Sequence, residues 1–366
     1  SHAMQVKAPK SVAHSPVPLH RVAVLLPFTR FLTALGMPVE REFRRLCLPM
    51  AALEDANNYV PSERFRAFVV NAARREGIDN LGFEVGRVNG ANCADPHMRE
   101  LLRRSPTLLH GLRAASELTN RTVFNCRLGL YRFPNSGQVC FFHRPSCPDR
   151  RNLCIDQIGW FGLMTLLGMI REFTGPRWQP AEIGLMTDQL PGGSIRSYFA
   201  RSRFRLNQPF SYMSLEGVFL GLEPAQACMR ENGAPPQGAE YLAEDFLGSV
   251  RKIVRSYVEH SDFSVDTAAS LCMMSTRSFQ RQLNAAGTSY SELLAGVQFE
   301  AATRLLRETD TKVSEISYRL GYRDAANFAR AFRRNAGLSP SAYRQWYRPE
   351  LADIHEDSPE NTARVH

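Results

Sequence analysis

The chain has 366 residues, of which 44% are hydrophobic, and its formal net charge at pH 7 is +9. This length suffices for two domains with separate cores, and the positive charge favours a polyanionic partner without distinguishing nucleic acid from a membrane surface. The longest apolar run, residues 158–170, is too short to span a bilayer. We therefore expect no membrane partner and a cytoplasmic protein whose eight dispersed cysteines stay reduced.

The N-terminal part of the chain predicts a short arm followed by a mixed domain. Ser1-His-Ala3 before Met4 resembles a remnant of an expression vector, and residues 1–20 as a whole are predicted to be this remnant and a disordered arm. Residues 21–230 alternate between helical periodicity and β-forming segments, which predicts an α+β domain. Pro27 interrupts the first helical pattern, so two helical pieces are expected in place of one.

Two clearer elements lie in the middle of this domain. A β-hairpin is predicted from residues 126–133 and 138–144, which flank a Pro-Asn-Ser-Gly turn. Residues 156–173 predict a long helix that is apolar nearly all round, as in a core or at a dimer interface. Nearby aromatic residues would suit either a core or an apolar effector pocket, and no pocket residue is assigned. These aromatic residues are Trp160, Phe161, Phe173, Trp178, Tyr198, Phe199, Phe204 and Phe210.

Cys140, His143 and Cys147 are residue types that bind metals, and Cys154 follows them. Their C-x2-H-x3-C pattern is not a standard zinc spacing, and Cys140 and His143 would face opposite sides of a strand. Packed thiols and a surface histidine are therefore favoured over a metal or redox site, and the isolated His20 is interpreted as structural. No cofactor is expected. The chain contains no G-x-S-x-G or H-E-x-x-H motif, so no catalytic residue is predicted and the chain is not expected to be an enzyme.

A linker is predicted at residues 231–240, which contain two glycines and two prolines but no large apolar residue. Residues 241–348 then predict an all-α domain with two helix-turn-helix units, at 264–283 and 313–334, joined by a long helix. The two units repeat each other at a spacing of roughly fifty residues. Residues 349–366 are predicted to be an acidic, disordered tail.

The second helix of the first unit has a polar face suited to DNA. Ser275 is placed to cap its N-terminus, while Phe279 and Leu283 face inward. Arginine and glutamine can contact guanine and adenine edges in a bidentate manner. We expect base contacts from Arg277, Gln280 and Arg281, and backbone or positioning contacts from Ser275, Thr276 and Asn284.

The second unit repeats this arrangement with more positive charge. Phe328 and Phe332 face inward, and from Arg319 to Arg348 there are seven arginines and one acidic residue. Base contacts are expected from Asn327 and Arg330, and backbone or positioning contacts from Ala326, Arg333 and Arg334. The alternative without function is a solvated helix whose arginines are ordinary surface residues. Two such helices with matching turns argue against this alternative.

At these motifs the C-terminal domain resembles the AraC/XylS-type bacterial transcription regulators over residues 241–347. The resemblance rests on Ala269, Cys272-Met-Met-Ser275, Arg277, Phe279-Gln-Arg281, Gly287-Thr-Ser-Tyr-Ser-Glu-Leu-Leu294, Arg304-Leu-Leu306, Ile316, Leu320-Gly-Tyr322, Asn327-Phe328, Arg330-Ala-Phe332, Gly337-Leu-Ser-Pro340 and Tyr343-Arg344. It departs from the family at Met273, where a glycine is usual. The first turn is then either looser than usual or avoids positive φ. The Ala326 side chain cannot donate a hydrogen bond. The second recognition helix is therefore expected to fix the position of the protein on DNA more than to contact bases.

The resemblance implies that both recognition helices enter successive major grooves on one face of operator DNA, and hence that the protein is nucleoid-associated. The N-terminal domain more weakly resembles the sensor domain of the subgroup that includes the ornithine-utilisation regulator, and it lacks the pattern of a cupin barrel. This second resemblance implies a homodimer through residues 21–230 and a small-molecule effector. Contact with RNA polymerase is also expected of a transcription regulator. Two alternatives remain open from sequence: a non-specific architectural DNA binder, and a small-molecule enzyme fused to a DNA reader.

Overall fold

The computed structural model describes residues 16–48, 50–122, 126–134, 138–145, 153–224, 245–259 and 263–347. The chain divides into two compact units, Ser1–Ile253 and Val254–His366. The predicted arm up to residue 15, the predicted linker at 231–240 and the predicted tail at 349–366 lie outside the described residues, as do most of the hairpin turn and Cys147. Among the described residues, no helix has both the length and the hydropathy needed to cross a bilayer.

The elements of unit 1 are mixed, as predicted. Its helices are α1 (Val22–Ala34), α2 (Val39–Arg45), α3 (Ser62–Glu76), α4 (Leu81–Asn89), α5 (Pro96–Arg104), α6 (Leu108–Thr122), α7 (Leu153–Thr174) and α8 (Gly193–Tyr198). Its strands are β1 (Leu19–Arg21), β2 (Tyr59–Pro61), β3 (Cys126–Arg132), β4 (Val139–Pro145), β5 (Glu182–Gly184), β6 (Arg203–Arg205) and β7 (Ser211–Leu215). Short 3-10 helices occur at Met50–Glu54, Gly90–Cys93 and Gly217–Gly221.

The strands form a small antiparallel pair, β1 with β2, and an open five-stranded sheet in the order β3-β4-β7-β5-β6. Only β5 and β6 pair in parallel; the other pairs of this sheet are antiparallel. The predicted hairpin is present as β3 and β4, with Leu128 opposite His143. Because β3 and β6 end the sheet without pairing to each other, the described strands do not close into a barrel.

The long helix α7 lies in the core of unit 1. Phe141 of β4 and Met213 of β7 pack in one cluster with Leu163 and Leu167 of the helix, and all four are at most 1% exposed. The opposite side of α7 packs against α4 and the 3-10 helix Gly90–Cys93. This arrangement explains why the helix is apolar nearly all round, since a sheet and other helices both cover it.

Three sequence-based expectations for unit 1 were wrong. Residues 21–47 do form two helices, α1 and α2, but Pro27 is not the break between them. Helix α1 continues through Pro27, and the loss of one backbone hydrogen bond is offset because Leu25, Phe28 and Leu32 are fully buried. The end of the predicted disordered arm is ordered, since residues 19–21 form β1. His143, expected at the surface, is buried on β4.

Unit 2 is helical, as predicted. Helix α9 (Phe246–Tyr257) crosses the boundary between the units, and the others are α10 (Val265–Leu271), α11 (Thr276–Ala285), α12 (Tyr290–Glu308), α13 (Val313–Arg319), α14 (Ala325–Ala336) and α15 (Pro340–Tyr347). Glu259, just after α9, pairs with Arg304 of α12 at 2.8 Å and with Arg319 of α13 at 3.5 Å. This carboxylate therefore ties three helices of the unit together.

Candidate nucleic-acid interface

The first helix-turn-helix unit consists of α10 and α11. The Ser264 hydroxyl accepts a hydrogen bond from the backbone N–H of Thr267, and the Ser275 hydroxyl accepts one from that of Ser278. Serine caps of this kind satisfy N–H groups that a helix start leaves unpaired. Phe279 and Leu283 are fully buried, as predicted. Local sequence therefore sets where α11 begins and which of its faces is buried.

The second unit consists of α13 and α14. Asp324 caps α14 by accepting a hydrogen bond from the Asn327 backbone N–H at 2.6 Å. Phe328 and Phe332 are buried, as predicted. The helix ends at Gly337, whose φ of +72° is a left-handed conformation that glycine adopts without strain.

Helix α12 contacts both recognition helices. It begins with a capping box, in which Ser289 and Glu292 bond each other's backbone N–H groups at 3.2 and 2.9 Å. Tyr290 lies 6.2 Å from the Phe279 ring of α11, and Phe299 lies 5.2 Å from the Phe332 ring of α14. Because one rigid helix packs against both helix-turn-helix units, it fixes the separation of α11 and α14.

The residues predicted to contact DNA from the first unit lie on one exposed face of α11. Arg277, Gln280, Arg281 and Asn284 are all exposed. No residue in the described part of the chain forms a hydrogen bond or ion pair with the side chains of Arg277, Gln280 or Arg281. Their side chains are therefore available to an external partner without first breaking an internal contact.

The two smaller polar residues of this unit are engaged within the protein. Ser275 uses its hydroxyl in the helix cap, and the Thr276 hydroxyl donates a hydrogen bond to Asp266 at 2.5 Å. Asp266 lies on α10, so this contact ties the two helices of the unit across their turn. Both residues thus position α11.

The predicted residues of the second unit are exposed but connected to one another. The Asn327 side-chain amide donates to Asp324, and Arg330 donates to the Asn327 side-chain oxygen at 2.5 Å. Ala326, Asn327, Arg330, Arg333 and Arg334 are all exposed. A base contact by Asn327 or Arg330 would therefore compete with this chain of hydrogen bonds, which distinguishes the second unit from the first.

The two turns have the same backbone conformation despite different residues. Met273 has a φ of +58° and Gly321 a φ of +79°. The N–H of Met273 bonds to Ser270 O and that of Met274 to Ala269 O, as Gly321 and Tyr322 bond to Tyr318 O and Ser317 O. The first turn therefore keeps the left-handed geometry of the second, and methionine carries the strain that glycine avoids.

This strain predicts opposite effects of substitution in the two turns. Met273→Gly is expected to stabilise the first unit by about 0.5–1 kcal/mol, because relief of a strain of about 1–2 kcal/mol exceeds the entropic cost of glycine. Gly321→Ala should destabilise the second unit by about 1–2 kcal/mol. Hydrogen exchange of amides in α10–α11 and in α13–α14 measures both effects.

The control for this experiment is Met274→Gly. Met274 is the next residue in the chain and has no positive φ, so glycine there removes no strain and should speed exchange. Faster exchange in α10–α11 after Met273→Gly would contradict the assigned turn geometry.

Sequence reasoning missed the internal partners of the predicted site. Asp324 was noted only as an acidic residue, although an aspartate just before a helix is a common cap. Its position three residues before Asn327 was the available signal. The contact from Thr276 to Asp266 had no signal in the sequence, since it depends on how α10 and α11 cross.

The aromatic residues considered for an effector pocket are mainly core residues. Trp160, Phe161, Phe173 and Phe199 are buried, and Trp178, Tyr198 and Phe204 pack against the same core. The described part of unit 1 brings no three metal-binding side chains of histidine, cysteine, aspartate or glutamate together.

Comparison with known families finds a match for each of the two compact units of the chain. Residues 268–345 match a helix-turn-helix domain family, and residues 36–223, just over half of the chain, match the family described as the arabinose-binding domain of AraC transcription regulator, N-terminal. The structure is also similar to the transcriptional regulator CdpR from Pseudomonas aeruginosa, with 18% identity, a TM-score of 0.42, and coverage of 88% of this chain and 98% of that one.

Two characterised relatives agree with these matches. The transcriptional activator NphR of Rhodococcus is 33% identical over 27% of this chain and 30% of its own length. The ornithine utilization regulator of Pseudomonas aeruginosa is 32% identical over 38% of this chain and 42% of its own length. The matched stretches thus span less than half of either relative. Together with the two family matches, they show that this chain belongs to the AraC family of transcription regulators, with an N-terminal ligand-binding domain and a C-terminal helix-turn-helix DNA-binding domain.

Proposed function

We propose that the protein is a sequence-specific regulator whose two helix-turn-helix units contact successive major grooves of operator DNA. The observation that carries this proposal is the exposed face of α11, where the side chains of Arg277, Gln280 and Arg281 have no partner in the part of the chain that the structure describes. A capped helix with free arginine and glutamine side chains can enter a major groove and bond guanine and adenine edges.

The two units are proposed to have unequal roles. In the first, Arg277, Gln280 and Arg281 contact bases, and Asn284 contacts the backbone. In the second, Asn327 and Arg330 first leave their bonds to each other and to Asp324, so base contacts there contribute less net free energy. Arg333 and Arg334, exposed in the last turn of α14, supply charge for phosphates. The second helix-turn-helix unit therefore mainly fixes the position of the protein along the DNA.

The proposed partners also include a second copy of the chain, a small effector and RNA polymerase. The protein acts in the cytoplasm as a homodimer through residues 21–230, and a small effector changes the spacing of the two DNA-binding domains on paired half-sites. Since its characterised relative NphR is a transcriptional activator, contact with RNA polymerase is part of this proposal. Selected DNA sites should then contain two half-sites.

The test begins with a duplex selected from a random pool by the full-length chain. Arg281→Ala is expected to weaken binding to this duplex by about 1–3 kcal/mol and to relax preference at one base position, because a bidentate base contact is lost. Fluorescence anisotropy at one fixed salt concentration measures the affinity, and repeated selection measures the preference.

Arg281→Lys is the matched control. Lysine keeps the charge but not the planar pair of donors, so it should preserve a phosphate contact and lose a base contact. If both variants bind selected and scrambled duplexes with the wild-type affinity, Arg281 does not contact bases. If the wild type itself shows no preferred sequence and only steep salt dependence, the protein is a non-specific architectural binder.

A further inference from the structure

A small apolar cavity lies inside unit 1, between β1, α6, β4 and α7. Its volume is 130 Å³, and its apolar wall includes Phe65, Leu128, Phe161, Leu166 and Met169. A dry cavity of about 150 Å³ lined by such residues is large enough to hold benzene. The space therefore suits a molecule of about the size of one six-membered ring.

The same cavity is lined by two polar side chains whose hydrogen bonds are not satisfied. Thr119 Oγ1 and His143 Nδ1 are both buried, and neither has a hydrogen-bond partner among the described residues. Both residues are at least nine-tenths buried. Buried polar groups in folded proteins are nearly always paired with protein, water or ligand. Because both groups line the same cavity, they point to a bound molecule that supplies their partners.

The charges at the cavity neutralise each other. Arg21 Nη1 lies 2.7 Å from Asp95 Oδ2, and Arg21 also donates to the Asn57 side chain. A carboxylate ligand would have to displace Asp95, and a cationic ligand would have to displace Arg21. The cavity therefore favours an uncharged molecule.

Two of the three histidines that line the cavity, His20 and His143, add no charge. Burial lowers the pKa of His143 to about 4, and burial, helped by Arg66 and His143, lowers the pKa of His20 to about 4. The His20 ring is also held by Ser62, whose hydroxyl lies 2.7 Å from Nδ1. Both rings are thus neutral at physiological pH. Several polar groups of the wall are already paired, Arg21 with Asp95, His20 with Ser62 and Thr165 with the Phe161 carbonyl. The many hydroxyls of a sugar would have to compete with these pairs, which sets the cavity apart from the arabinose named in the family description.

A larger cavity in the same unit is less suited to a specific ligand. It measures 400 Å³ and is lined by Arg87, Arg103 and Arg171. Arg87 pairs with Glu84, Arg103 pairs with Glu172, and Arg171 donates to the Trp178 carbonyl and the Tyr198 hydroxyl. Its cationic groups are already paired, so we favour the smaller cavity.

We propose that this smaller cavity is the ligand site of the N-terminal domain, and that it binds an uncharged, ring-sized, mostly apolar molecule whose polar group hydrogen-bonds to Thr119 and His143. The proposal deepens the proposed function, because it names the chemical class of the effector. Binding itself does not depend on the DNA contacts.

Calorimetric titration of the full-length chain with phenol tests this proposal, and benzene, benzoate and arabinose serve as comparisons. Phenol should bind saturably and about three- to tenfold more tightly than benzene, as one added hydrogen bond implies. Benzoate and arabinose should not bind. The double variant Thr119→Val/His143→Phe should lose the preference for phenol over benzene.

Two glycines of α7 provide matched variants that test the location. A Cβ at Gly162 would lie 2.5 Å from His143 Nδ1, whereas a Cβ at Gly159 would meet only Ser211 Oγ at 3.9 Å. Gly162→Ala displaces the imidazole ring and should weaken phenol binding at least tenfold. Gly159→Ala should leave it unchanged within twofold.

The outcomes separate this proposal from the proposed function. The cavity assignment is overturned if neither phenol nor benzene binds, if benzoate or arabinose binds as well as phenol, or if both glycine variants bind phenol like the wild type. If phenol binds as described but the chain selects no DNA sequence, the cavity stands and the regulator proposal fails.

Discussion

Replacing Phe332 by alanine is expected to lower the free energy of unfolding of unit 2 by about 3–5 kcal/mol. The side chain is 2% exposed, and its ring lies 5.2 Å from that of Phe299 on α12 and 5.2 Å from that of Tyr343 on α15. Its removal leaves a cavity where three helices meet. Urea denaturation of the full-length chain, with hydrogen exchange to localise the change, measures the loss.

Phe332→Ala should also weaken the DNA contacts of the second helix-turn-helix unit. Helix α14 carries Arg330, Arg333 and Arg334, and Phe332 anchors it against α12. A loosened α14 no longer holds these arginines at a fixed distance from α11, so the dependence of affinity on salt should become shallower. This loss of salt dependence distinguishes a displaced helix from a general loss of active protein.

Arg334→Ala is the control on the same helix. Arg334 is exposed, and surface substitutions of this kind usually change stability by less than about 0.5 kcal/mol. Equal unfolding free energies for Phe332→Ala and Arg334→Ala would contradict the packing of α14 described above.

Gly82→Ala is the second substitution with a large expected effect. A Cβ at this position in α4 would lie 1.8 Å from the backbone oxygen of Gln157 in α7. Backbone cannot move aside as a flexible side chain can, so the two helices must separate. Overpacking usually costs about 1–3 kcal/mol, and we expect at least the upper end of this range.

The crossing of α4 and α7 is also held by hydrogen bonds. Gln157 Oε1 accepts from the Gly82 N–H at 2.7 Å, and Gln157 Nε2 donates to Asp79 O at 2.6 Å. Separating the helices breaks the buried bond to Gly82 and the part-buried bond to Asp79. The cost is about 1–3 kcal/mol for a buried group left unpaired. Thermal unfolding of unit 1 should therefore occur at a clearly lower temperature.

Gly159→Ala in α7 is again the matched control. Its Cβ has space, and alanine in a helix interior is favoured over glycine by about 0.5–1 kcal/mol, so the variant should be slightly more stable than the wild type. Wild-type stability in the Gly82→Ala variant would show that the helices do not cross this closely.

The DNA-binding unit was predictable because its signals are local. Ser275 caps α11, apolar residues at helical spacing face the core, and the repeat at roughly fifty residues indicated a second copy of the same unit. The family resemblance added the joining helix and the expected DNA contacts. The predicted contact residues remain predictions, although the structure places them all on exposed faces or in caps of α11 and α14.

The structure of unit 1, the N-terminal domain, was predictable only in part. The hairpin and α7 follow from local pattern, and the α+β class follows from their mixture. Pro27 was misjudged because burial of α1 outweighs the local preference of proline. The spacing from Gly82 to Gly86, one helical turn, was an available signal for close helix packing, since a Cβ at Gly86 would also meet α7, 2.3 Å from Met164 Cβ.

By itself, the sequence determined the helical periodicity, the caps and the exposed basic faces of the DNA-binding unit, because each depends on residues a few positions apart. Only the tertiary structure decided that Met273 adopts a left-handed conformation and that Asn327 and Arg330 bond each other. It also decided that His20, Thr119 and His143 line one cavity. The cavity depends on contacts between elements far apart in the chain, and such contacts leave no periodic signal in the sequence. The Met273 turn and the Asn327–Arg330 bond are local, but one periodic pattern is compatible with several backbone and side-chain conformations, so the pattern alone did not select them.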